Sequence, residues 1–340
     1  MVRGSVPDEP PRRNRRNPLT TPVVARSAEA QARAEMLRAS GKKRARQRRI
    51  PLLPALIFLV IVTQIPFVVT IVMSLLEWNI MYPQDRGFGG LSNYATVLND
   101  PRMRAAIANT VVLVVAGVLG SLIMGTILAL LLNRRFRGRF FVRTMLITPF
   151  LIMPMASSLM WKHLVFNAEY GLLNGSLEWL GQTLGFDAPR IEWLSQLPML
   201  SIISVLIWTW TPFMMLIILA GLQAMDTDVI EAASMDGANA WQQFQFLTMP
   251  HLRAYIELSI VLGTIYLLNT YDQVFSITQG GPGTATTNLT YEIYLTAFRK
   301  YDYGEAAAAG VLIVAASVVI ATFGLRLVSS LAEAKKAGAR

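Results

Sequence analysis

Cysteine is missing from this 340-residue chain, which excludes disulfides, thiolate metal sites and a cysteine nucleophile. Histidine is nearly missing too: His163 and His251 are too few to build a histidine-based metal or catalytic site. Charged residues make up only 15% of the chain, against about 25% in soluble domains, and 53% of its residues are hydrophobic. This balance predicts a membrane protein, in which we expect no bound metal.

Most of the net positive charge lies at one end of the chain. Residues 1–50 contain 14 Lys and Arg against 4 Asp and Glu, and the remaining residues balance at 17 of each. This basic segment has no aromatic residue for base stacking and leads directly into an apolar run. It therefore predicts a disordered cytoplasmic tail near anionic membrane lipid rather than a nucleic-acid-binding arm. The apolar run is long enough to span a bilayer, which argues against a cleavable signal peptide.

Six stretches are long and apolar enough to cross a membrane, which needs about 20 residues each. They lie at about 52–76, 107–132, 140–161, 197–222, 252–275 and 306–329. Prolines inside them are tolerated where neighbouring helices satisfy the freed backbone groups. The second stretch carries small residues that allow close helix packing, namely Gly117, Gly120, Ser121 and Gly125. We expect an all-α membrane protein, with a six-helix transmembrane domain at 51–330 and a short tail at 331–340.

The distribution of Lys and Arg predicts the orientation of these spans. With the N-terminus in the cytoplasm, the inner segments hold 24 of the 31 Lys and Arg residues and the outer segments hold six, with Lys162 at a boundary. Both termini are therefore expected in the cytoplasm. In the outer loops we expect a short amphipathic helix with glycine ends within 163–196 and an exposed turn at 278–288, "TQGGPGTATTN".

The inner loop between the fourth and fifth spans, at about 226–250, carries more helix-forming residues than a simple connection needs. Asp226 or Thr227 can cap a first helix, which contains "VIEAASM" and which the "DGA" sequence around Gly237 interrupts. This loop is also the inner segment in which acidic residues outnumber basic ones. That departure from the positive-inside bias favours a protein partner over lipid.

An apolar stripe follows the glycine. Trp241, Phe244 and Leu247 recur at a spacing of three on a second short helix, which we expect Pro250 to end. Lipid does not cover a stripe in this position. It therefore predicts a docking surface on the cytoplasmic side.

The stretch "EAASMDGANAWQQFQFLTMP" (231–250) resembles the EAA motif of permease subunits of bacterial ATP-binding-cassette (ABC) importers: Glu-Ala-Ala, three residues, Gly, and later a hydrophobic–Pro pair, here with Met249 in place of the more usual Leu. "WTWTPFMMLIILAGLQAM" before it and "YDQVFSITQGGPG" after it resemble the carbohydrate, maltose-type branch of that family. The resemblance covers about residues 50–330. It implies a type I importer permease fold in the bacterial inner membrane, with the loop as the coupling helix that seats on an ATPase subunit. The expected coupling residues are Glu231, Ala232, Ala233, Asp236, Gly237, Trp241, Phe244 and Pro250.

The energy for transport must come from another chain, because no GxxxxGK[ST] phosphate loop occurs in this sequence. We therefore expect a transporter subunit that is not itself an enzyme and binds no cofactor, with ATP and Mg²⁺ held by partner ATPase subunits. The resemblance implies four partners: two ATPase subunits, a second permease subunit that completes the pore, and an extracytoplasmic sugar-binding protein.

Two regions carry aromatic and polar residues at membrane depth. Trp208 and Trp210 lie roughly 15–18 Å along the fourth span from its outer end, and "NTYDQ" (269–273) gathers polar groups in or near the bilayer, where such groups are usually functional. Packing alone explains either tryptophan equally well, and an outer-boundary position would explain Asp272. The resemblance implies that both regions line the substrate site. The candidate contacts are Thr209, Trp210, Phe213, Asn269, Tyr271 and Asp272.

The expected pore contains no Lys or Arg, which favours a neutral sugar or sugar alcohol over phosphate. An alternative is a secondary transporter driven by an ion gradient, but it would need inverted repeats and several buried carboxylates. Only Asp272 is a candidate for such a carboxylate. Two weaker alternatives are an intramembrane enzyme, which lacks a catalytic pair inside the spans, and a receptor or scaffold without transport.

Overall fold

The computed structural model describes residues 53–134 and 136–337, and this part of the chain is almost entirely helical. The helices are α1 (Leu53–Ser74), α2 (Ser92–Asn99), α3 (Pro101–Asn133), α4 (Arg139–Leu151), α5 (Pro154–Met160), α6 (Leu172–Leu184), α7 (Trp193–Gln196), α8 (Pro198–Gln223), α9 (Thr227–Met235), α10 (Ala240–Gln243), α11 (Met249–Leu268), α12 (Asp272–Ile277), α13 (Leu289–Phe298) and α14 (Tyr303–Ala337). Two short strands, β1 (Leu76–Glu77) and β2 (Gly87–Phe88), pair antiparallel between α1 and α2. The tail predicted at 1–50 lies outside the described residues.

The described part of the chain divides into two compact units, with the boundary between Phe67 and Val68. Among the described residues, four helices are long and apolar enough to cross a membrane: α1, α3, α8 and a continuous helix over Ala240–Leu268. A bent helix pair is a fifth candidate, and the apolar part of α14, Tyr303–Val319, is a shorter sixth. The expected all-α membrane architecture is confirmed, and these elements accommodate six spans.

The third predicted span, 140–161, is broken rather than continuous. α4 ends at Leu151, and α5 with the π-helical turn after it (Trp161–Val165) departs at 99°. Ile152 and Met153 both have extended backbone conformations. The ring of Pro154 disfavours the helical conformation for the residue before it, so a new helix begins at the proline. The apolar run predicted at 140–161 is therefore present as a bent helix pair, and the bend at Pro154 was not predicted.

The core of the second unit forms where α3 packs against α8. A Cβ on Gly125 would lie 2.8 Å from the backbone nitrogen of Met215, so no larger residue fits there unless one helix moves. Gly117 and Gly120 are equally close to side chains of α11 and α8, and Ser121 is fully buried. The close packing predicted from these small residues is confirmed.

The fifth predicted span also stops early, at Leu268 instead of 275. A break over residues 269–271 precedes α12. The carbonyl groups released at this break are satisfied by side chains from farther along the chain: Thr290 Oγ1 donates to Leu268 O at 3.1 Å, and Asn288 Nδ2 donates to Thr270 O. The prediction of a continuous helix through this region was wrong, because these partners lie about 20 residues away in sequence.

The loop at 278–288 is less exposed than expected. Thr286, Thr287 and Asn288 are buried, and the hydroxyls of Thr278 and Thr286 lie 2.7 Å apart. Asn109 of α3 donates to two carbonyls of this loop at 2.9 and 3.0 Å. The glycine and proline do end the helix as predicted, but the threonines then fold inward. The loop therefore has a defined conformation and is held to α3 by hydrogen bonds.

The amphipathic helix expected in the preceding outer loop is present as α6 and ends at Gly185, which adopts a left-handed conformation (φ 76°). Asn174 of α6 is buried and holds the surrounding chain together. Its Nδ2 donates to Ala168 O at 3.0 Å and to Ile191 O at 2.9 Å, while its Oδ1 accepts from Trp193 Nε1 at 3.0 Å. We call residues 167–193 the outer subdomain. These hydrogen bonds give it a fixed shape.

Candidate functional site

The coupling segment, residues 226–250, begins with α9. Asp226 caps this helix, because its Oδ1 accepts the backbone N–H of Asp228 at 3.0 Å. Asp228 lies in the first turn, where negative charge stabilises a helix. Glu231 and Ala232 are exposed, and Ala233 is half-buried. Two of the three residues of the Glu-Ala-Ala signature are therefore free to contact a partner.

A turn at Gly237 ends α9. Gly237 has a φ of +84°, and no atom lies within 4 Å of a Cβ built on it, so the conformation rather than the space requires glycine. The N–H of Ala238 donates to Ala233 O at 3.0 Å and that of Gly237 to Ser234 O at 3.2 Å. These two bonds form a complete Schellman motif, which satisfies the last carbonyls of the helix. Asp236, just before the glycine, is exposed.

The second helix of the segment is capped as well. Asn239 Oδ1 accepts the N–H of Gln242 at 2.9 Å, and Gln242 Oε1 accepts the N–H of Asn239 at 2.8 Å, which is a reciprocal capping box. Gln243 Nε2 then donates to Ser234 Oγ and to Ala238 O, both at 2.9 Å. Gln243 thus ties the two helices together, so the segment is held as one rigid piece.

Pro250 does not end this second helix, contrary to the sequence-based expectation. α10 passes through a π-helical turn (Phe244–Thr248) into α11, and the whole forms one helix of 29 residues, Ala240–Leu268. Proline has no N–H, and its ring clashes with the carbonyl four residues earlier in a regular helix. The wider π turn directly before Pro250 relieves this clash. The proline therefore marks the junction of the coupling segment with α11.

The same π turn alters which apolar residues are exposed. Trp241 is 68% exposed as predicted and its ring lies 5.7 Å from that of Phe244, but Phe244 and Leu247 are half-buried. Phe246 is 67% exposed instead, and Met235 on α9 is 85% exposed. The stripe at a spacing of three was thus wrong in part, because the extra residue in the turn rotates the positions after Phe244. The most exposed apolar side chains of the segment are Met235, Trp241 and Phe246, and Val229 and Met249 are exposed to a lesser degree.

Sequence reasoning missed one contact at the base of the segment. His251 Nε2 lies 3.0 Å from Gly221 O near the end of α8, and the rings of His251 and Tyr255 lie 6.0 Å apart. A Cβ on Gly221 would meet the Tyr255 ring at 2.7 Å. The two helices that flank the coupling segment, α8 and α11, are therefore joined beside it. The sequence signal for this contact was His251 itself, because a histidine in the first turn of a membrane span needs a hydrogen-bond partner.

Near the predicted substrate residues the structure contains an aromatic cluster of four side chains: Phe150, Trp210, Phe213 and Tyr266. Trp210 stacks on Tyr266 with centroids 5.2 Å apart, and its edge contacts with Phe150 and Phe213 are both at 5.7 Å. Tyr266 is 51% exposed, so the cluster has an open side. Phe150 and Tyr266 were not predicted. Tyr266 lies one helical turn before Asn269, and that spacing was the signal for it.

Polar candidates lie on two of the three helices that carry the cluster, α8 and α11. Thr209 is buried, and its Oγ1 has no hydrogen-bond partner within the described part of the chain. Asn269 is exposed at the end of α11, where its Nδ2 donates to Ile265 O at 2.8 Å. Trp208, the other tryptophan considered, packs against Trp161 with centroids 5.6 Å apart. This contact accounts for the position of Trp208, so we do not place Trp208 in the substrate site.

The remaining two candidates lie elsewhere. The Tyr271 ring stacks on Phe275 and meets Tyr294 edge-on, both at 5.3 Å, in a second aromatic group. Asp272 is half-buried in the first turn of α12. The structure therefore brings Trp210 and Phe213 together in one cluster and places the Tyr271 ring in another.

Comparison with known proteins agrees with this architecture. Residues 121–332 match the family described as binding-protein-dependent transport system inner membrane component. A probable ABC transporter permease protein of Sinorhizobium fredii is 38% identical over 258 residues, which cover 75% of this chain and 81% of the relative. The trehalose/maltose transport system permease protein of Thermococcus litoralis is 31% identical over 275 residues, which cover 80% and 89%.

A solved structure shares the fold. In the crystal structure of a bacterial ABC transporter involved in the import of the acidic polysaccharide alginate, one chain matches with a TM-score of 0.71 at 23% identity, covering 86% of this chain and 98% of that chain. The helical fold is that of a membrane subunit of an ABC importer. The chain belongs to the family of binding-protein-dependent transport system inner membrane components, and it is a multi-pass inner-membrane protein.

Proposed function

We propose that this chain forms half of the translocation pore of an ATP-driven carbohydrate importer and passes the motion of an ATPase to that pore. The observation that carries the proposal is the coupling segment. It is a pair of capped helices with an exposed apolar surface of Met235, Trp241 and Phe246, and it continues without interruption into α11. A segment with satisfied caps and a fixed turn moves as a unit, so a push on it displaces the membrane helix.

The proposal requires partners for energy and delivery. Two ATPase subunits hold ATP and Mg²⁺ and seat the coupling segments, and a second permease subunit completes the pore. An extracytoplasmic binding protein delivers the substrate, which the family description supports. This chain itself hydrolyses no ATP and binds no cofactor. Family membership also favours this function over a transporter driven by an ion gradient.

The aromatic cluster supports carbohydrate as the substrate class. Sugar rings present C–H faces that stack on aromatic side chains and hydroxyls that need polar partners. The faces of Trp210 and Tyr266 can stack on the C–H faces of a sugar ring. Thr209, next to Trp210 in sequence, and Asn269, three residues after Tyr266, can bind its hydroxyls. The relative that transports trehalose and maltose supports the same class. We propose a neutral sugar or sugar alcohol, with Phe213, Tyr271 and Asp272 as further contacts.

Uptake by the complete importer in proteoliposomes tests the substrate site. We expect Trp210→Ala and Phe150→Ala each to reduce uptake by about tenfold or more, because each removes an aromatic contact worth about 1 kcal/mol or more together with its buried area. The matched control is Phe141→Ala, an exposed aromatic on the same helix as Phe150 but outside the cluster. Wild-type uptake by both cluster variants at normal expression would contradict the assignment.

A further inference from the structure

The outer subdomain contains a cleft of about 450 Å³ between α6 and the chain at residues 186–190. Two glycines build it. A Cβ on Gly181 would lie 2.7 Å from Phe186 O, so glycine is needed for the chain to fold back this closely, and Gly185 supplies the left-handed turn. Together with the hydrogen bonds of Asn174, these contacts preorganise the cleft.

Charged groups line this cleft without pairing. Glu169, Glu178, Asp187 and Arg190 all lie on its wall and are exposed. None of the ion pairs found in the described part of the chain involves any of them. Residues 167–193 contain four acidic residues and one arginine, a balance of −3, whereas the whole chain has a net charge of +10. The outer subdomain is therefore an acidic region on a basic protein.

Exposed apolar side chains adjoin the cleft-lining residues. Phe186 lines the cleft and is 47% exposed, and Trp179 and Leu184, each 66% exposed, are the sequence neighbours of the lining residues Glu178 and Gly185. Tryptophan is enriched among the residues that carry most of the energy of protein interfaces. An anionic lipid surface would be repelled by the acidic wall. Among the described residues, no group of acidic side chains is arranged to hold a metal ion.

We propose that the cleft receives a lysine or arginine side chain of the extracytoplasmic binding protein, and that the exposed Phe186 on its wall and the neighbouring Trp179 and Leu184 contact apolar surface of that protein. This inference rests on the proposed function and on the predicted orientation, which places residues 163–196 outside the cell. Complementary charge steers two proteins together and fixes their register more than it adds affinity. The acidic wall therefore determines how readily the loaded binding protein docks.

Stimulation of ATP hydrolysis by the binding protein, measured over a range of its concentrations with the complete importer, tests the inference. We expect Glu169→Gln combined with Glu178→Gln to raise the half-saturating concentration by about threefold to tenfold, with a small effect on the maximal rate. Arg190→Gln should have the opposite effect and lower it, because it removes the repulsive charge. A structural disturbance of the cleft would not give opposite signs.

The matched control is Glu192→Gln, which neutralises an exposed acid of the same subdomain outside the cleft. It should leave the half-saturating concentration within twofold. If no binding protein stimulates the wild-type importer, the proposed function fails. If the wild type is stimulated and the cleft variants match it, only the cleft assignment fails. Loss of the second permease subunit on purification of the cleft variants would also overturn it, because the cleft would then belong to the contact between permease subunits.

Discussion

Two glycines of this protein are required for different physical reasons. Gly125 is needed for space, because the backbone of α8 lies against it. Gly237 has open space around it and is needed for its backbone conformation, a φ of +84° that completes the Schellman motif between α9 and α10. The first fixes how closely two spans pack, and the second fixes the angle between the two helices of the coupling segment.

Gly237→Ala should therefore impair coupling. A side chain in the left-handed region costs about 1–2 kcal/mol, so the turn will open in part and the exposed apolar surface will lose its fixed arrangement. We expect binding-protein-stimulated ATP hydrolysis to fall several-fold while the melting temperature stays near that of the wild type. The control is Gly175→Ala on α6, which has an ordinary φ and no atom within 4 Å of the added Cβ. Equal hydrolysis rates in both variants would show that the turn does not matter for coupling.

At the scale of elements, apolar runs predicted where the spans lie but not where they break. Pro154, Pro212 and Pro250 all lie in apolar sequence, yet the first starts a new helix, the second lies inside α8 and the third follows a π turn. A proline only removes one donor and crowds one carbonyl. The break after Leu268 needs no proline at all, because Asn288 and Thr290, which are distant in sequence, donate hydrogen bonds to its free carbonyls.

Pro250→Ala tests the role of the π turn. Without the proline ring and with the missing N–H restored, we expect Phe244–Thr248 to become regular α-helix, because its wider turn no longer relieves a clash. A π turn accommodates one more residue than an α-helical turn, so its conversion to regular α-helix rotates Trp241 by about 100° relative to α11. Stimulated ATP hydrolysis should then fall, although thermal stability is kept or raised. Pro198→Ala, at the first position of α8 where proline is normally tolerated, is the control. Wild-type hydrolysis in Pro250→Ala would contradict this role.

For the whole molecule, composition, apolar runs and the distribution of Lys and Arg were enough to predict an all-helical membrane protein, and the resemblance of residues 231–250 to the EAA motif predicted the family. The aromatic cluster was predicted less completely. Trp210 and Phe213 were named from the sequence, whereas their neighbours Phe150 and Tyr266 come from two other helices whose approach no local pattern encodes. The outer cleft also escaped prediction, because it depends on how the chain after Gly185 folds back on α6.

The lack of cysteine makes the predicted orientation directly testable, because any introduced thiol is the single one in the chain. With a membrane-impermeant maleimide applied to intact cells, we expect Ser176→Cys on α6 to be labelled. Ala224→Cys, two residues before the coupling segment, should react only after the membrane is permeabilised. Both positions are exposed, and the buried Ser121→Cys should resist labelling throughout. Labelling of Ala224→Cys in intact cells would contradict the predicted orientation of the spans.

The uninterrupted helix Ala240–Leu268 also has a thermodynamic consequence. At 1.5 Å per residue it is about 43 Å long, and it carries Trp241 near one end and Tyr266 near the other. If a cargo molecule favours one tilt of this helix, the affinity of the ATPase subunit for the exposed end changes by some factor. The affinity for the cargo must then change by the same factor when the ATPase binds. A permease that is filled with sugar and one that is empty should thus hold their ATPases with measurably different strength.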